Sequence, residues 1–228
     1  MEPGVRNMWV LIAAYNEATV IADVVADVRG AGYRVVVIDD GSHDRTAELA
    51  EGAGAVVIRH PINLGQGAAL QTGIEFALAQ GADMIATFDA DGQHRAADIA
   101  DLISALATHD ADFALGSRFL GTAVNMPGSR RWLLKAALWF TRATAGLSIT
   151  DSHNGLRAMT RRGAGGIHLR QNRMAHASEI LDQIAVSGLR YVEVPVTIHY
   201  SAYSLAKGQR LLDTLLIVTD LFARRLYR

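Results

Sequence analysis

Ile85-Ala-Thr-Phe-Asp-Ala-Asp-Gly-Gln-His94 is the stretch from which the rest of the chain can be read. It opens as a short apolar run, led in by Gly81-Ala-Asp83, and reads as a buried strand. It closes on Asp89 and Asp91, followed by Gly92, Gln93 and His94. Two carboxylates this close repel each other when both are charged. A hard divalent cation, Mg²⁺ or Mn²⁺, removes that cost because it takes oxygen ligands and shares its shell with phosphates. Gly92 lets the chain turn sharply at this point. The plainer reading of Asp-x-Asp alone is a polar turn after a strand, and the surrounding pattern has to decide between the two.

Working outward, apolar runs alternate with helical periodicity. Residues 9–14, 33–38, 55–58, 85–89 and 112–117 read as strands. Between them, Val20, Ile21, Val24, Val25 and Val28 share one helical face, as do Leu70, Ile74 and Leu78, and later Ile99, Leu102, Ile103 and Leu106. Asn16 is expected to cap the first helix, and Ser42 or Asp44 the second. Continuous apolar strands separated by helices predict an α/β fold with a mainly parallel central sheet covered by helices on both faces. Ligands of such sheets bind at the carboxyl ends of the strands. Polar clusters fall on that edge four times: Tyr15 to Glu17, Asp39 with Asp40, Asp89 with Asp91, and Ser117 with Arg118. Gly65-Gln-Gly67 is neither a Walker loop nor a dinucleotide fingerprint, and reads as a turn that starts a helix.

The second half is less regular. An amphipathic helix is expected over 130–140, a polar loop over 151–155, a helix over 176–187, extended chain over 191–200 and a polar loop over 201–208. A last amphipathic helix carries Leu211, Leu212, Leu215, Leu216, Leu221 and Phe222. The expected organisation is one domain over 1–205 with a helical extension over 206–228. The Trp132–Phe140 and Leu211–Phe222 faces could pack on the core, form a homo-oligomer contact or lie on a bilayer. Trp132 and Trp139 with flanking Arg and Lys fit the interfacial case.

Composition narrows the classes. The chain has 228 residues, a formal net charge of -1 and no cysteine. No global basic field invites nucleic acid, and disulfides and thiolate metal sites are excluded. No apolar run reaches the roughly 18 residues of a spanning helix. The polar start over 1–7 does not read as a signal peptide. The expectation is a cytoplasmic protein, at the cytoplasmic membrane face if the apolar helices meet lipid.

Taken in order, Ala13-Ala-Tyr-Asn-Glu17, Val37-Ile-Asp-Asp-Gly-Ser-His-Asp-Arg-Thr46, Asn63-Leu-Gly-Gln-Gly-Ala-Ala69, Phe88-Asp-Ala-Asp-Gly-Gln-His94 and Gly116-Ser-Arg118 resemble the motifs of family-2 glycosyltransferases with the GT-A fold. The nearest resemblance is to the dolichol-phosphate mannose synthase-like, or polyprenyl-phosphate, group. It implies inverting transfer of a hexose from a UDP- or GDP-sugar to a lipid phosphate, with Mg²⁺ or Mn²⁺. Carried over, Ala13, Tyr15, Glu17, Asp39, Asp40 and Asp89 would hold the nucleotide, and Asp89, Asp91 and Gln93 the metal. Ser117, Arg118, Arg130 and Arg131 would hold the acceptor phosphate. Asp151 to Arg157 resembles the family's acceptor-side Asp-x-x-x-Gly-Phe-Arg loop, with Leu156 in place of the aromatic. Gln66 stands where many relatives carry lysine.

The chemistry suits these residue types. Breaking the C1–O bond loads negative charge on a diphosphate, which a metal anchored by Asp91 stabilises. A phosphate acceptor needs positioning by arginine rather than a base, so Arg118 is the second catalytic candidate. A hydroxyl acceptor, as in envelope polysaccharide or glycolipid synthesis, needs a base, and Asp151 is the candidate. Arg118 could instead only neutralise a carboxylate, and Arg130 and Arg131 could be solvated residues at a helix start. A further alternative is a nucleotide-sugar-binding partner without turnover.

Overall fold

The computed structural model describes residues 7–145, 147–170 and 175–207. The first five strands are β1 (Met8–Ala14), β2 (Arg34–Asp39), β3 (Val56–Arg59), β4 (Met84–Asp89) and β5 (Phe113–Val124). The helices between and after them are α1 (Ile21–Gly30), α2 (Thr46–Gly52), α3 (Gln66–Ala79), α4 (Asp98–Thr108) and α5 (Gly128–Ala145). The chain continues through β6 (Arg157–Thr160), α6 (Arg161–Gly165), α7 (Ala175–Ser187), β7 (Tyr191–His199) and α8 (Ala202–Lys207).

The strands form one seven-stranded sheet in the order β3-β2-β1-β4-β6-β5-β7. All pairings are parallel except those of β6, which runs antiparallel to β4 and β5. Alternation along the buried strands splits the core in two. Val10, Ile12, Val35 and Val37 join Val24, Val28, Ile99 and Leu102 on one face. Leu11, Val36 and Ile38 join Leu70, Ile74, Ile180 and Ile184 on the other. Each such fully buried branched side chain contributes about 1.5–3 kcal/mol, so strands covered on both faces are apolar throughout.

Several expectations need correction. Asn16 does not cap α1, which begins at Ile21 after Val20. It adopts a left-handed φ of 54° and bonds across to the loop after β2 instead. The residue preceding α2 is Arg45, with no side-chain cap; Asp44 reaches the Thr46 N–H from one position earlier at 3.0 Å. The 201–208 segment is not a loop throughout, because Ala202–Lys207 is helical and Ser201 and Ser204 exchange side-chain and backbone bonds at its start. β6 was not expected: four residues without alternation carry no periodic signal. β5 runs past the expected Ser117, with a register shift against β7 between Ser117 and Thr122. The expected helix over Leu211–Phe222 lies outside the described residues.

Candidate active site

The parallel strands bring their carboxyl ends to one edge, and loop-to-loop bonds build the site there. The Asn16 N–H donates to Ser42 Oγ at 2.9 Å, Asn16 Oδ1 accepts from the His43 N–H at 2.9 Å, and the Glu17 N–H donates to Thr46 Oγ1 at 2.8 Å. These bonds lock the loop after β1 to the loop after β2. Asp39 is buried and accepts from the Ser42 N–H at 3.1 Å. Asp40 accepts from the Leu64 and Gly65 N–H groups at 2.9 and 2.7 Å and meets His60 Nδ1 at 2.8 Å. The other His60 nitrogen meets Thr72 Oγ1 at 3.0 Å, so Asp40 ties the start of α3 to the end of β2.

A cleft of about 440 Å³ opens on this edge. Ala13, Tyr15, Glu17, Asp40, Asp89, Asp91, Gln93, Arg118 and Arg130 line it, as do Gln66, His94, His153, Asn154, Gly155, Arg157, His176 and Ser204. Of the residues singled out in the sequence, Asp39, Ser117, Arg131 and Asp151 do not line it. Ser117 is buried, and its hydroxyl shares a hydrogen bond with Thr150 Oγ1 at 2.7 Å while bracing the turn to Leu120. Arg131 is exposed.

At the end of β4, Gly92 takes a φ of 71° and folds the chain back, so that Gln93 donates through both its backbone and its side chain to Asp91, at 3.1 and 2.7 Å. His94 Nε2 lies 2.9 Å from Asp89 Oδ2, and Gln66 Nε2 lies 3.4 Å from Asp89 Oδ1. Gly155 packs so closely on Asp89 that an added Cβ would overlap its carboxylate. Burial pushes Asp89 up, yet its hydrogen bond to His94 and the nearby His176 and Arg157 hold it below the usual carboxylate range. Asp91 goes the other way: burial and the Asp89 charge push it up to about 6. Two acids in mutual conflict at the bottom of a cleft form a donor set that suits a hard cation. Among the described residues no group of three or more His, Cys, Asp or Glu side chains could hold a metal ion. An ion there would have two carboxylates, Asp89 and Asp91, with Gln93 beside them, as its protein ligands.

On the other wall, Arg118 is committed in every direction. Its Nε donates to Asp151 Oδ2 at 2.6 Å, Nη1 to Tyr200 Oη at 2.7 Å and Nη2 to the His153 carbonyl at 2.5 Å. Asp151 also accepts from the Arg118 N–H at 3.1 Å. Arg118 thus both neutralises a carboxylate and lines the cleft. Arg130 stacks over the Tyr200 ring at 5.1 Å, so the arginine at the head of α5 that reaches the site is this one. Burial pulls the His153 imidazole down to about 4, against the pull of Asp151. Tyr203 donates to Glu17 Oε2 at 2.7 Å, and burial with that bond pushes its hydroxyl up to about 12.

The resemblance of Asp151 to Arg157 to an acceptor-side loop covers His153, Gly155 and Arg157, all of which line the cleft, whereas no sequence signal marks His176 or Ser204. Spacing alone singles out no separate residue of that loop. Ser204 needed α8 to be recognised as helix.

Residues 9–164 match the family model described as glycosyl transferase family 2. The chain is 32% identical over 225 residues to the UDP-N-acetylglucosamine–dolichyl-phosphate N-acetylglucosaminyltransferase of Methanococcus voltae, spanning 89% of this chain and 90% of that one. It is 31% identical over 205 residues to the polyprenol monophosphomannose synthase of Mycolicibacterium smegmatis, spanning 84% of this chain and 77% of that one. Among solved structures, glucosyl-3-phosphoglycerate synthase from Mycobacterium tuberculosis, in complex with Mn²⁺ and UDP-glucose, superposes with a TM-score of 0.70 at 19% identity, covering 96% of this chain and 79% of that chain. That likeness establishes the GT-A fold.

Proposed function

The chain belongs to glycosyl transferase family 2, and from that premise we propose that it moves a hexose, with inversion, from a UDP- or GDP-sugar to a polyprenyl phosphate. The observation that carries the reading is the two-sided cleft: a half-buried acid pair, Asp89 and Asp91, shares it with Arg118 and Arg130. A metal ion held by Asp89, Asp91 and Gln93 would act as a Lewis acid on the donor diphosphate.

The chain's own groups supply binding and orientation. Tyr15, Glu17 and Asp40 line the nucleoside end, and Asp39 shapes that end through Ser42. Arg130, held over Tyr200, presents a guanidinium to the acceptor phosphate, and Arg118 is fixed behind it. A phosphate oxygen is already an anion and attacks without a base, so positioning suffices. A hydroxyl acceptor would need Asp151 free to take a proton; it is buried and held by Arg118, which favours the phosphate. Names of relatives that act on dolichyl phosphate and polyprenol support the same choice. Substrates of that kind place the enzyme at a membrane surface, and the exposed tryptophans of α5 offer the contact.

Calorimetric titration tests the donor side. One of UDP and GDP should bind in Mg²⁺ or Mn²⁺ and lose most of its affinity in chelator or in Asp91→Asn. Equal binding of both in chelator, or full affinity in Asp91→Asn, would remove the metal-dependent donor site.

A further inference from the structure

Arg157 opens β6. Because β6 alone runs antiparallel, its first residue lies on the edge where the parallel strands end. It pairs with Thr87, two residues before Asp89, and is only 5% exposed. Arg118 offers a direct contrast, since all of its nitrogens are spent on Asp151, Tyr200 and His153. Among the described residues the Arg157 guanidinium donates no hydrogen bond, and it lines the cleft. Burial draws it down to about 10, although Asp89 and Asp151 pull the other way. Those carboxylates attract it without accepting a hydrogen bond, so its five N–H donors stay available to an anion that enters the cleft.

We propose that Arg157 binds the donor diphosphate and takes up the charge that builds on the leaving phosphate. The inference deepens the sugar-transfer reading above and rests on it. Neutral sugar hydroxyls do not offset a buried guanidinium, whereas its planar fork matches phosphate oxygens in pairs. The donor is favoured over the acceptor phosphate because Arg157 stands on the strand beside β4, and Asp89, at the end of β4, acts on it more strongly than Asp151. The electron count is simple. The C1–O bond breaks with its electron pair left on the diphosphate oxygen, and the acceptor oxyanion supplies the pair for the new bond to C1. No proton, oxidant or reductant is required. Arg157 meets the oxygen that gains charge, where preorganised donors matter most.

The test compares the native chain with Arg157→Met and Arg157→Lys. Unliganded melting midpoints are measured first. Binding in Mg²⁺ follows, for UDP and GDP against uridine and guanosine, and for farnesyl phosphate as the acceptor probe. Arg157→Met should melt at or above the native midpoint, because it removes a buried charge that no hydrogen bond offsets. It should weaken the bound nucleoside diphosphate roughly 10- to 100-fold, as expected for losing charge-assisted hydrogen bonds, and leave the nucleoside unchanged. Arg157→Lys should recover part of that loss. A lower unliganded midpoint with diphosphate affinity intact, or failure of Arg157→Met to fold, would make Arg157 structural and overturn the proposal. A loss confined to farnesyl phosphate would move it to the acceptor and overturn it equally. If the native chain bound neither diphosphate, the donor reading itself would fall.

Discussion

At the residue scale, the site is made by side chains whose ordinary charge preferences are overridden. His153 lies against the Arg118–Asp151 pair, and burial holds it near 4 rather than 6.5, with Arg118, Arg157 and His176 adding to the effect. The unfolded chain therefore binds a proton there more readily than the folded one, and stability rises with pH. The stabilising contribution is complete above pH 6.5 and drains away as pH falls toward 4. It amounts to roughly 3 kcal/mol at full loss. Denaturant unfolding across this range should show that slope in the native chain and a flatter one in His153→Gln. An unchanged slope in the variant would mean that His153 is not buried as described. Gly155 makes the complementary point: its missing side chain is the space that Asp89 occupies. In the sequence, Asp89, Asp91, Glu17 and Asp40 could be named because each sits at the end of an apolar run or in a motif. The motif over 151–157 marks Arg157 only as part of an acceptor-side stretch; the folded chain alone reveals that its guanidinium has no hydrogen-bond acceptor among the described residues and that His153 is half-buried beside the Arg118–Asp151 pair.

At the element scale, strands with apolar residues on both faces and helices with one apolar face were legible, and their limits agree with the structure to within a residue or two for β1 to β4. What escaped was set by tertiary context. β6 is a strand only because β4 and β5 flank it, and α8 is a helix only six residues long. Asn16 obeys the loop it bonds to rather than the helix that follows. Helix α5 raises a separate question. Trp132 and Trp139, 79% and 74% exposed, lie seven residues apart on one face, with exposed Lys135 between them. Arg130, at the head of the same helix, reaches the cleft. This combination of paired tryptophans and basic residues fits a helix lying in the headgroup layer, which would set the acceptor end of the site against the lipid surface. In vesicle flotation the chain should rise with anionic liposomes, and Trp132→Ala with Trp139→Ala should stay below. Retention of the native chain in the soluble fraction would remove the membrane contact. No helix among the described residues is long and apolar enough to cross a membrane.

At the scale of the whole molecule, the sheet explains why the chemistry gathers where it does. Six strands run one way, so their ends deliver Tyr15, Asp40, Asp89 and Arg118 to one edge. The reversed strand delivers its beginning, Arg157, to that same edge. The cleft thereby gathers acidic and basic groups together, as the proposed pairing of a metal-bearing diphosphate with a second phosphate requires. The most direct measurement is transfer of a radiolabelled hexose from UDP- or GDP-sugars in detergent, offered polyprenyl phosphate or the matching polyprenol. Label should enter only the phosphate lipid and cease on adding a chelator. Equal labelling of the free alcohol, or transfer that a chelator leaves untouched, would contradict a metal-bearing donor edge opposed to a phosphate-binding wall.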